Sequence, residues 1–358
     1  MSDAGVGGTA ADGPGVVAGS APSGRLPASA PPASAPSGRL PASAPPASAP
    51  PARLPAGVTD PASLATALAG QDYLADEGLA TAAYLTLALR RPLFLEGDPG
   101  VGKTAIAQAI AGLLEAPLIR LQCYEGIDAS QALYDWNFPR QVLHLRSAEA
   151  AGRVAVTGDP DVAAQRLETE LYDRRFLISR PILQALETTP SVLLVDEIDR
   201  ADDEFEALLL EVLGDFTISV PELGTIRAVD PPVVVLTSNR TREVHDALKR
   251  RCYYHWVDHP DFDREVAIVR TRMPDVGVRL AREVVSAVQL LRDQDLLKPP
   301  GVAETLDWTE ALVALGADHL DAARAAATLG SVLKFREDQQ RARQLDVGDM
   351  VARAVRGV

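Results

Sequence analysis

The sequence lacks most of the features that mark a secreted or membrane protein. Its two cysteines, Cys123 and Cys252, are too few for a disulfide framework and lack metal-ligand spacing. No run of about 18 apolar residues is present, as a transmembrane helix would need. The N-terminus has no basic stretch followed by an apolar one, so no secretory signal is indicated. We therefore expect a cytoplasmic protein without membrane insertion, whose cysteines are buried as small apolar side chains.

The charge balance argues against nucleic acid as the main partner. The chain carries a net charge of −14. Residues 1–58 contribute three arginines and two aspartates, so the rest of the chain carries −15. Because so acidic a body repels phosphate backbones, we expect no nucleic-acid partner, although a local basic pore is compatible with this charge.

Residues 1–58 are rich in alanine, proline, serine and glycine, and they contain a tandem duplication. The segment 21–34 recurs unchanged at 35–48, and the unit begins again at Ala49. The unit is shorter than any solenoid repeat and has no apolar face to stack, so a disordered, partly polyproline tail is predicted. Its Arg-Leu-Pro sites, which begin at Arg25, Arg39 and Arg53, are either docking motifs or parts of a solvated tether.

The most informative stretch begins at Leu93 with an apolar strand, a glycine-rich turn and then a helical pattern. The turn reads Gly97-Asp-Pro-Gly-Val-Gly-Lys-Thr104, the pattern of a phosphate-binding loop. Its glycines allow positive φ, so that successive N–H groups and a helix N-terminus can hold the β-phosphate. Lys103 would reach the β- and γ-phosphates, and Thr104 would ligate Mg²⁺. The predicted nucleotide-binding residues are Gly97, Asp98, Pro99, Gly100, Val101, Gly102, Lys103, Thr104 and Ala105.

Two further buried strands end in polar side chains. One runs from Ser191 into Asp196 and Glu197, and the other runs from Val233 to Asn239. Active residues of parallel sheets lie at such strand ends. Asp196 would then bind Mg²⁺, Glu197 would activate the attacking water, and Asn239 would position that water and sense the γ-phosphate. The alternatives are two solvated acids that cap the next helix and a structural asparagine.

A basic helix end, Asp246 to Arg251, leads into an aromatic strand. Arg250 and Arg251 could bind helix C-terminal carbonyls within the same chain. Alternatively, one of them could reach the γ-phosphate bound to a neighbouring subunit, as an arginine finger does. We favour the finger.

The remaining pattern is mainly helical and indicates the fold class. Two helices are predicted between Val58 and Arg91, a short one at 181–187 and another at 203–213, followed by a hairpin around Pro221. From Phe262 onward, helices are predicted at 262–272, 278–295, 303–315 and 319–343. We expect an α/β fold, with a five-stranded parallel sheet in a P-loop core followed by a smaller α-helical lid. The domains would be a tail at 1–58, a nucleotide-binding domain at 59–260 and a lid at 261–358.

The region 124–180 has no clear pattern. Its aromatic residues near Tyr134 could grip a bound or threaded partner, or pack against the core. An alanine- and glutamate-rich insertion is expected near 147–172.

With these motifs in order, the chain resembles AAA+ ATPases and, more narrowly, the MoxR group in the branch related to the CoxD protein. The loop at 97–104 and Leu194-Val-Asp-Glu-Ile-Asp-Arg200 are shared by many AAA+ proteins. More specific to the branch are Cys123-Tyr-Glu-Gly-Ile-Asp128, Tyr134-Asp-Trp-Asn-Phe-Pro-Arg140 and Ala247-Leu-Lys-Arg-Arg-Cys-Tyr-Tyr-His-Trp256. The resemblance covers roughly 60–345.

The resemblance implies a ring, expected to be a hexamer, that binds ATP and Mg²⁺ between subunits. Such proteins are chaperone-type remodellers that pair with a von Willebrand factor A domain protein. The CoxD branch is associated with maturation of metal centres, including that of a molybdenum carbon monoxide dehydrogenase. Arg251 best matches the finger and Arg250 is the neighbouring candidate. The sequence departs from the family at Val302 to Trp308, where no sensor 2 arginine is present, and Lys334 or Arg336 would have to replace it.

Three functions are therefore compared. The first is a Mg²⁺-dependent ATPase whose cycle in a ring remodels a partner protein. The second is a scaffold that ATP assembles and in which hydrolysis is incidental. The third, a nucleic-acid-stimulated motor or a GTPase, is disfavoured by the charge and by the lack of an [NT]-K-x-D guanine-reading motif.

Overall fold

The computed structural model describes residues 53–150 and 169–357. Most of the predicted tail, residues 1–52, and most of the predicted insertion, residues 151–168, lie outside the described residues. None of the described helices combines the length and the apolar character needed to cross a membrane.

The centre of the fold is a five-stranded sheet in which every neighbouring pair is parallel. Its strands are β1 (Leu93–Gly97), β2 (Leu118–Gln122), β5 (Val192–Asp196), β8 (Val233–Ser238) and β9 (Tyr253–Val257), in the spatial order β2-β5-β8-β1-β9. The three central strands are buried at every residue. Covered parallel strands are apolar on both faces, so the predicted five-stranded sheet is confirmed.

Successive residues of the sheet face different apolar clusters because side chains alternate along a strand. Leu93 and Leu95 pack with α1 (Pro61–Ala69), α2 (Glu77–Leu89) and α3 (Lys103–Leu113). Phe94, between them, packs with α6 (Pro181–Glu187) and α7 (Asp203–Asp215). Helices therefore cover both faces, as a doubly wound α/β fold requires.

The segment between β2 and β5, for which no pattern was predicted, forms short elements. They are α4 (Ala129–Ala132), β3 (Tyr134–Trp136), α5 (Phe138–Ala150) and β4 (Leu177–Ser179). β3 and β4 pair antiparallel, and so do β6 (Thr217–Val220) and β7 (Gly224–Arg227), which form the predicted hairpin. Tyr134 and Trp136 pack against the core, whereas the side chain of Phe138 is 58% exposed. The core-packing alternative therefore holds for two of these aromatic residues.

The helices after β9 bury a third apolar cluster around Trp308. The Trp308 side chain is fully buried, and its Nε1 donates to Thr328 Oγ1 at 2.7 Å. The helices beyond β8 are α8 (Asp246–Lys249), α9 (Phe262–Arg272), α10 (Val278–Arg292), α11 (Val302–Ala314), α12 (Ala322–Val332), α13 (Arg336–Gln344) and α14 (Val347–Arg356). A helical C-terminal region is thus confirmed.

The prediction of a single helix at 319–343 is wrong, because the structure has two helices there. Leu333 adopts an extended conformation and is buried, so the chain turns between α12 and α13. Farther on, the side chain of Asp338 accepts backbone N–H groups from Leu297 and Lys298. Both the break and these bonds depend on distant residues, which a local pattern does not report. The last helix, α14, was also not predicted.

The final residues assigned to the tail, 53–58, pack against the α/β layer. Val58 is buried, and the Arg53 side chain is 9% exposed and paired with Asp230. The backbone N–H of Arg53 donates to the carbonyl of Leu87 at 3.2 Å. Ordered packing therefore begins at least by Arg53.

Candidate nucleotide-binding site

The phosphate-binding loop lies between β1 and α3, as predicted. Gly97 has a φ of +157°, and a Cβ at this position would lie 2.3 Å from the carbonyl oxygen of Val257 in β9. Only glycine allows so close an approach between the loop and β9, the neighbouring strand of the sheet. The sheet edge therefore holds the first residue of the loop in place, directly before the turn.

Lys103 is the first residue of α3 and is only 6% exposed. Its Nζ donates to the carbonyl oxygens of Gly97 and Asp98, each at 2.7 Å. Burial lowers the pKa of Lys103 to about 8, and nearby carboxylates, first that of Asp98, only partly offset this effect. The ammonium is thus held at the loop by two neutral carbonyl oxygens. The charged oxygens of a phosphate would be stronger acceptors for it.

Asp196 and Thr104 come together at the end of β5. Thr104 Oγ1 donates to Asp196 Oδ1 at 3.1 Å, and the hydroxyl of Thr237 in β8 donates to the same oxygen. A hydroxyl and a carboxylate oxygen are ligands that suit Mg²⁺. Within the described residues, no group of three or more His, Cys, Asp or Glu side chains could hold a metal ion. The pair therefore fits a Mg²⁺ ion that takes its other ligands from water and nucleotide phosphates.

The sequence did not point to Arg120, an arginine of β2 that reaches the predicted metal ligand. Its Nη2 donates to Asp196 Oδ2 and also to Gln122 Oε1. The Arg120 side chain is 54% exposed, whereas that of Asp196 is 5% exposed. An exposed cation therefore neutralises the buried acid, and it would have to share that acid with a bound metal ion.

Glu197 follows directly and is held by three side chains. Asn239 Nδ2 donates to Glu197 Oε1 at 3.2 Å, and Gln122 Nε2 donates to Oε2 at 3.1 Å. Arg200 Nε lies 2.9 Å from the same Oε2. Glu197 has a φ of +56°, in the left-handed region that costs a residue with a side chain about 1 kcal/mol. The structure thus brings the predicted base and the predicted sensing amide together at adjacent strand ends.

Asp199 orders the loop that carries the sensing amide. Its carboxylate is buried and accepts the backbone N–H of Asn239 at 3.1 Å and that of Thr241 at 2.8 Å. Burial raises the pKa of Asp199, but hydrogen bonds from Thr241 and Asn239 outweigh this effect and lower it overall. This acid was not singled out from the sequence, although its position two residues after Glu197 was a usable signal.

These residues line a cavity of about 420 Å³. The loop residues Pro99 to Ala105 line it, together with Asp196, Glu197 and Asn239. Its other walls are Asp72 to Leu74, residues around Pro260, and Arg264 and Arg272 of α9. Neither arginine was expected from the sequence. The dimensions and the lining suit a nucleotide whose phosphates lie on the loop.

The start of α11 contacts the loop directly, in addition to the two arginines that α9 places in the cavity wall. The N–H of Ala303 donates to the carbonyl of Gly100 at 3.1 Å. A Cβ on Gly301 would lie 2.8 Å from the carbonyl oxygen of Pro99. Lys334 instead donates to the carbonyl of Ser331, and neither Lys334 nor Arg336 lines the cavity among the described residues. The sequence offered no residue to couple the lid to the loop. The structure supplies this coupling as a direct backbone hydrogen bond.

The two finger candidates have different environments. The Arg251 Nη1 donates to the carbonyl of Leu210 within α7, a contact in its own chain, although not with the last carbonyls of a helix. The Arg250 side chain is 81% exposed, and its ion pair with Asp246 is long, at 3.7 Å. Neither residue lines the described cavity of its own chain. Of the two, Arg250 is the more available to a neighbouring subunit.

The carbonyls of both residues are anchored by Arg91, just before β1. Arg91 Nη2 donates to the carbonyl of Arg250 at 2.7 Å, and its Nε donates to that of Arg251 at 3.2 Å. Its guanidinium also lies 5.1 Å from the ring centre of Tyr253. The backbone at Arg250 is therefore held rigidly although its side chain is exposed.

The geometry described so far agrees with a match between residues 92–252 and the family model of the AAA domain, dynein-related subfamily. Residues 92–252 are thus similar to an AAA domain. The matched range begins just before β1 and ends just before β9, so it includes the loop, Asp196, Glu197, Asn239 and both arginines.

Relatives of the AAA domain are distant. The mouse nuclear valosin-containing protein-like is 24% identical over 193 residues, covering 53% of this chain and 17% of that protein. Midasin from Giardia intestinalis is 47% identical over 47 residues, covering 13% of this chain and 1% of that protein. The chain thus spans less than a fifth of either relative.

Similar solved structures are also distant from this chain. The RuvB Holliday junction branch migration motor of Thermotoga maritima is 19% identical over 67% of this chain and 61% of its own, with a TM-score of 0.36. Domain III of the replication initiation protein DnaA from the same organism is 13% identical over 74% of this chain and 96% of its own, with a TM-score of 0.42.

Proposed function

We propose that this chain is a Mg²⁺-dependent ATPase of the MoxR type, in the CoxD-like branch, that works in a ring to remodel a partner protein. The observation that carries the ATPase assignment is the pairing of Asp196 with Thr104 beside the pairing of Glu197 with Asn239, both next to the phosphate-binding loop. AAA+ ATPases bind ATP and typically form rings. A hexamer in the cytoplasm remains our expectation.

Each residue has a defined task in the proposed reaction. The loop amides and Lys103 would bind the phosphates, and Thr104 and Asp196 would hold Mg²⁺, which would neutralise charge on the phosphate oxygens. Glu197 accepts a proton from the attacking water, while Asn239 orients that water through its amide. Gln122 and Arg200 hold the Glu197 carboxylate in the resting arrangement. Arg250 or Arg251 supplies a positive charge to the γ-phosphate bound by a neighbour.

The partner and client follow from the family resemblance alone. We propose a von Willebrand factor A domain protein as partner and a metalloenzyme, such as a molybdenum carbon monoxide dehydrogenase, as client. No nucleic-acid partner is proposed, because the described part of the chain carries the acidic charge that disfavours one.

The deciding experiment combines three proteins in ATP-binding and ATPase assays. Lys103→Ala should abolish ATP binding, and Glu197→Gln should bind ATP with turnover lowered at least a hundredfold. Wild-type activity per molecule should rise with protein concentration if the site is shared between subunits. Normal turnover by Glu197→Gln would refute the assigned chemistry, and constant activity per molecule would refute the shared site.

The alternative is a scaffold that ATP assembles and in which hydrolysis is incidental. The contact between Ala303 and Gly100 supports it, because nucleotide binding at the loop can shift the lid without hydrolysis. Full client maturation by Glu197→Gln in the presence of ATP would favour the scaffold. Loss of maturation by this variant, with ATP still bound, would favour the remodeller.

A further inference from the structure

Arg53 and Leu54, which begin an Arg-Leu-Pro-Ala unit at 53–56, lie in a groove on the α/β layer that we call the Arg53 groove, formed by Leu87, Arg90 and Asp230. The Arg53 Nε donates to Asp230 Oδ2 at 2.9 Å, and Nη2 reaches both this oxygen and the Asp230 carbonyl. The backbone N–H of Arg53 donates to the carbonyl of Leu87. The next side chain, Leu54, packs against the apolar cluster of this face. Side chain and backbone are thus recognised together.

The groove has the charge to receive an arginine. Arg90 also donates to Asp230, so two guanidinium groups share one carboxylate. Burial raises the pKa of Asp230, but hydrogen bonds from Arg53 and Arg90 outweigh it and hold the carboxylate in its charged form. The neighbouring Val229 is 96% exposed, so this side of the groove opens to solvent.

The same ligand occurs three times in the chain. Arg-Leu-Pro-Ala stands at 25–28, 39–42 and 53–56, with a spacing of 14 residues. Each contact that Arg53 and Leu54 make in the groove uses an arginine, a leucine or a backbone N–H that all three units possess. Only the third unit is followed by glycine, and Gly57 has a φ of +84°, which directs the chain toward the buried Val58. Each chain therefore carries one groove and two units beyond the one that fills it.

We propose that the Arg53 groove is a docking site for the Arg-Leu-Pro-Ala unit, and that a second copy of the chain can fill it with its unit at 39–42. Exchange of matching segments between protomers replaces the arginine, leucine and backbone N–H contacts by equal ones, so it is a low-cost route to association. The 14 residues from Arg39 to Arg53 span at most about 50 Å, which is about the width of a domain of this size. Subunits in contact are therefore within reach.

The first test measures docking of a single unit. A fluorescent synthetic peptide of residues 35–48 is titrated with full-length protein, and anisotropy reports binding. The resident unit competes with the peptide at high effective concentration. The Arg53→Ala protein should therefore bind at least fivefold more tightly than wild type. Adding Asp230→Asn, or replacing the peptide arginine by alanine, should abolish binding. Equal binding in all four cases would overturn the proposal.

The second test detects exchange between full-length chains that retain Arg53. A donor chain with Ser37→Cys is mixed with an acceptor chain with Val229→Cys and oxidised, and disulfide-linked pairs are counted. The native Cys123 and Cys252 are buried, and burial raises the pKa of each to about 12, so they do not compete.

The expected result is that Arg39→Ala in the donor, or Asp230→Asn in the acceptor, lowers the yield of linked pairs at least fivefold. Arg25→Ala in the donor is the matched control, because it leaves the unit at 39–42 intact. Linked pairs that are insensitive to Arg39→Ala would overturn the exchange, and so would peptide binding without linked pairs. Neither test requires nucleotide, so their outcome is independent of the proposed ATPase.

Discussion

The ammonium of Lys249 lies 3.1 Å from Oε1 of Glu96, a carboxylate that is 3% exposed and directly precedes Gly97. Glu96 also accepts the hydroxyl of Tyr254 at 3.0 Å. Lys249 belongs to the helix end that carries the arginines, whereas Glu96 is the last residue but one of the strand that enters the phosphate-binding loop. One ion pair therefore joins the segment proposed to face a neighbour to the nucleotide loop of its own chain.

Removal of Lys249 should leave a buried charge without its cation. We expect Lys249→Met to lower the free energy of unfolding by about 2 kcal/mol or more. Adding Glu96→Gln should recover part of this loss, because the remaining group is neutral. Chemical denaturation of the two variants and of wild type measures the difference. If the double variant is less stable than Lys249→Met, the pairing does not explain the loss.

Binding of ATP should depend on pH through Lys103. Burial lowers the pKa of this ammonium to about 8, so above that pH the free protein loses the proton. Phosphate oxygens favour the charged form, so the complex has a higher pKa and binding takes up a proton. The Kd for ATP should rise between pH 8 and 9.5, by up to about tenfold per pH unit.

Titration calorimetry at several pH values measures this dependence on Lys103. Lys103→Arg is the control, because a guanidinium stays charged throughout the range. Its Kd should be nearly constant, whatever its absolute value. An equal rise of Kd in both proteins would assign the pH dependence to another group.

Substitution of Arg250, which is exposed, and of Arg251, which is hydrogen-bonded within its own chain, should have different effects. Arg250→Ala should lower ATPase activity about 10³-fold, the magnitude of an arginine finger, with little effect on stability. Arg251→Ala should instead lower the free energy of unfolding by about 1 kcal/mol, because the carbonyl of Leu210 loses its donor. Steady-state ATPase assays and thermal unfolding of both variants separate the two roles. The reverse pattern would make Arg251 the finger.

A single substitution can disturb the contact between the lid and the loop without straining the backbone at the substituted residue. Gly301 directly precedes α11 and has a φ of −84°, so alanine is allowed there, yet its Cβ would lie 2.8 Å from the carbonyl oxygen of Pro99. We expect Gly301→Ala to push the lid away and to weaken ATP binding at least fivefold. The measurement is the Kd for ATP at constant pH.

A matched control for this lid contact is Gly277→Ala. Gly277 also precedes a helix, α10, and a Cβ there would meet nothing within 4 Å. This variant should bind ATP like wild type. If both glycine variants weaken binding equally, the effect comes from the lid helices in general and not from contact with the loop.

The sequence was most informative where chemistry and local pattern coincide. The strand, turn and helix around Lys103 were predicted in place, and so were the strands that end at Asp196 and Asn239. Parallel pairing is sufficient to bring these strand ends together. The partners of the site were not predictable in this way. Arg120 and Gln122 lie on a strand that shows no functional motif, and their roles arise only from its place beside β5.

Contacts between distant segments account for the other differences. The break after Leu333 and the placement of Asp338 depend on the helices packed against them. The contact between Gly100 and Ala303 joins residues about 200 positions apart in the sequence. A sequence motif for sensor 2 does not reveal this contact, because the contact uses backbone atoms that every residue possesses. The assignment of the tail, the domain limits and the arginine finger remains a prediction.

The hydroxyl of Thr237 connects the acidic groups of the site to one another. It donates to Asp196 and accepts the backbone N–H of Glu197 at 3.0 Å, so one atom of β8 contacts both acids of β5. Asn239, two residues later and just after the end of β8, holds the Glu197 side chain. A substitution at Thr237 would therefore disturb the metal ligand and the base together, and through Glu197 the amide of Asn239 as well. The three groups belong to one hydrogen-bonded network rather than to separate sites.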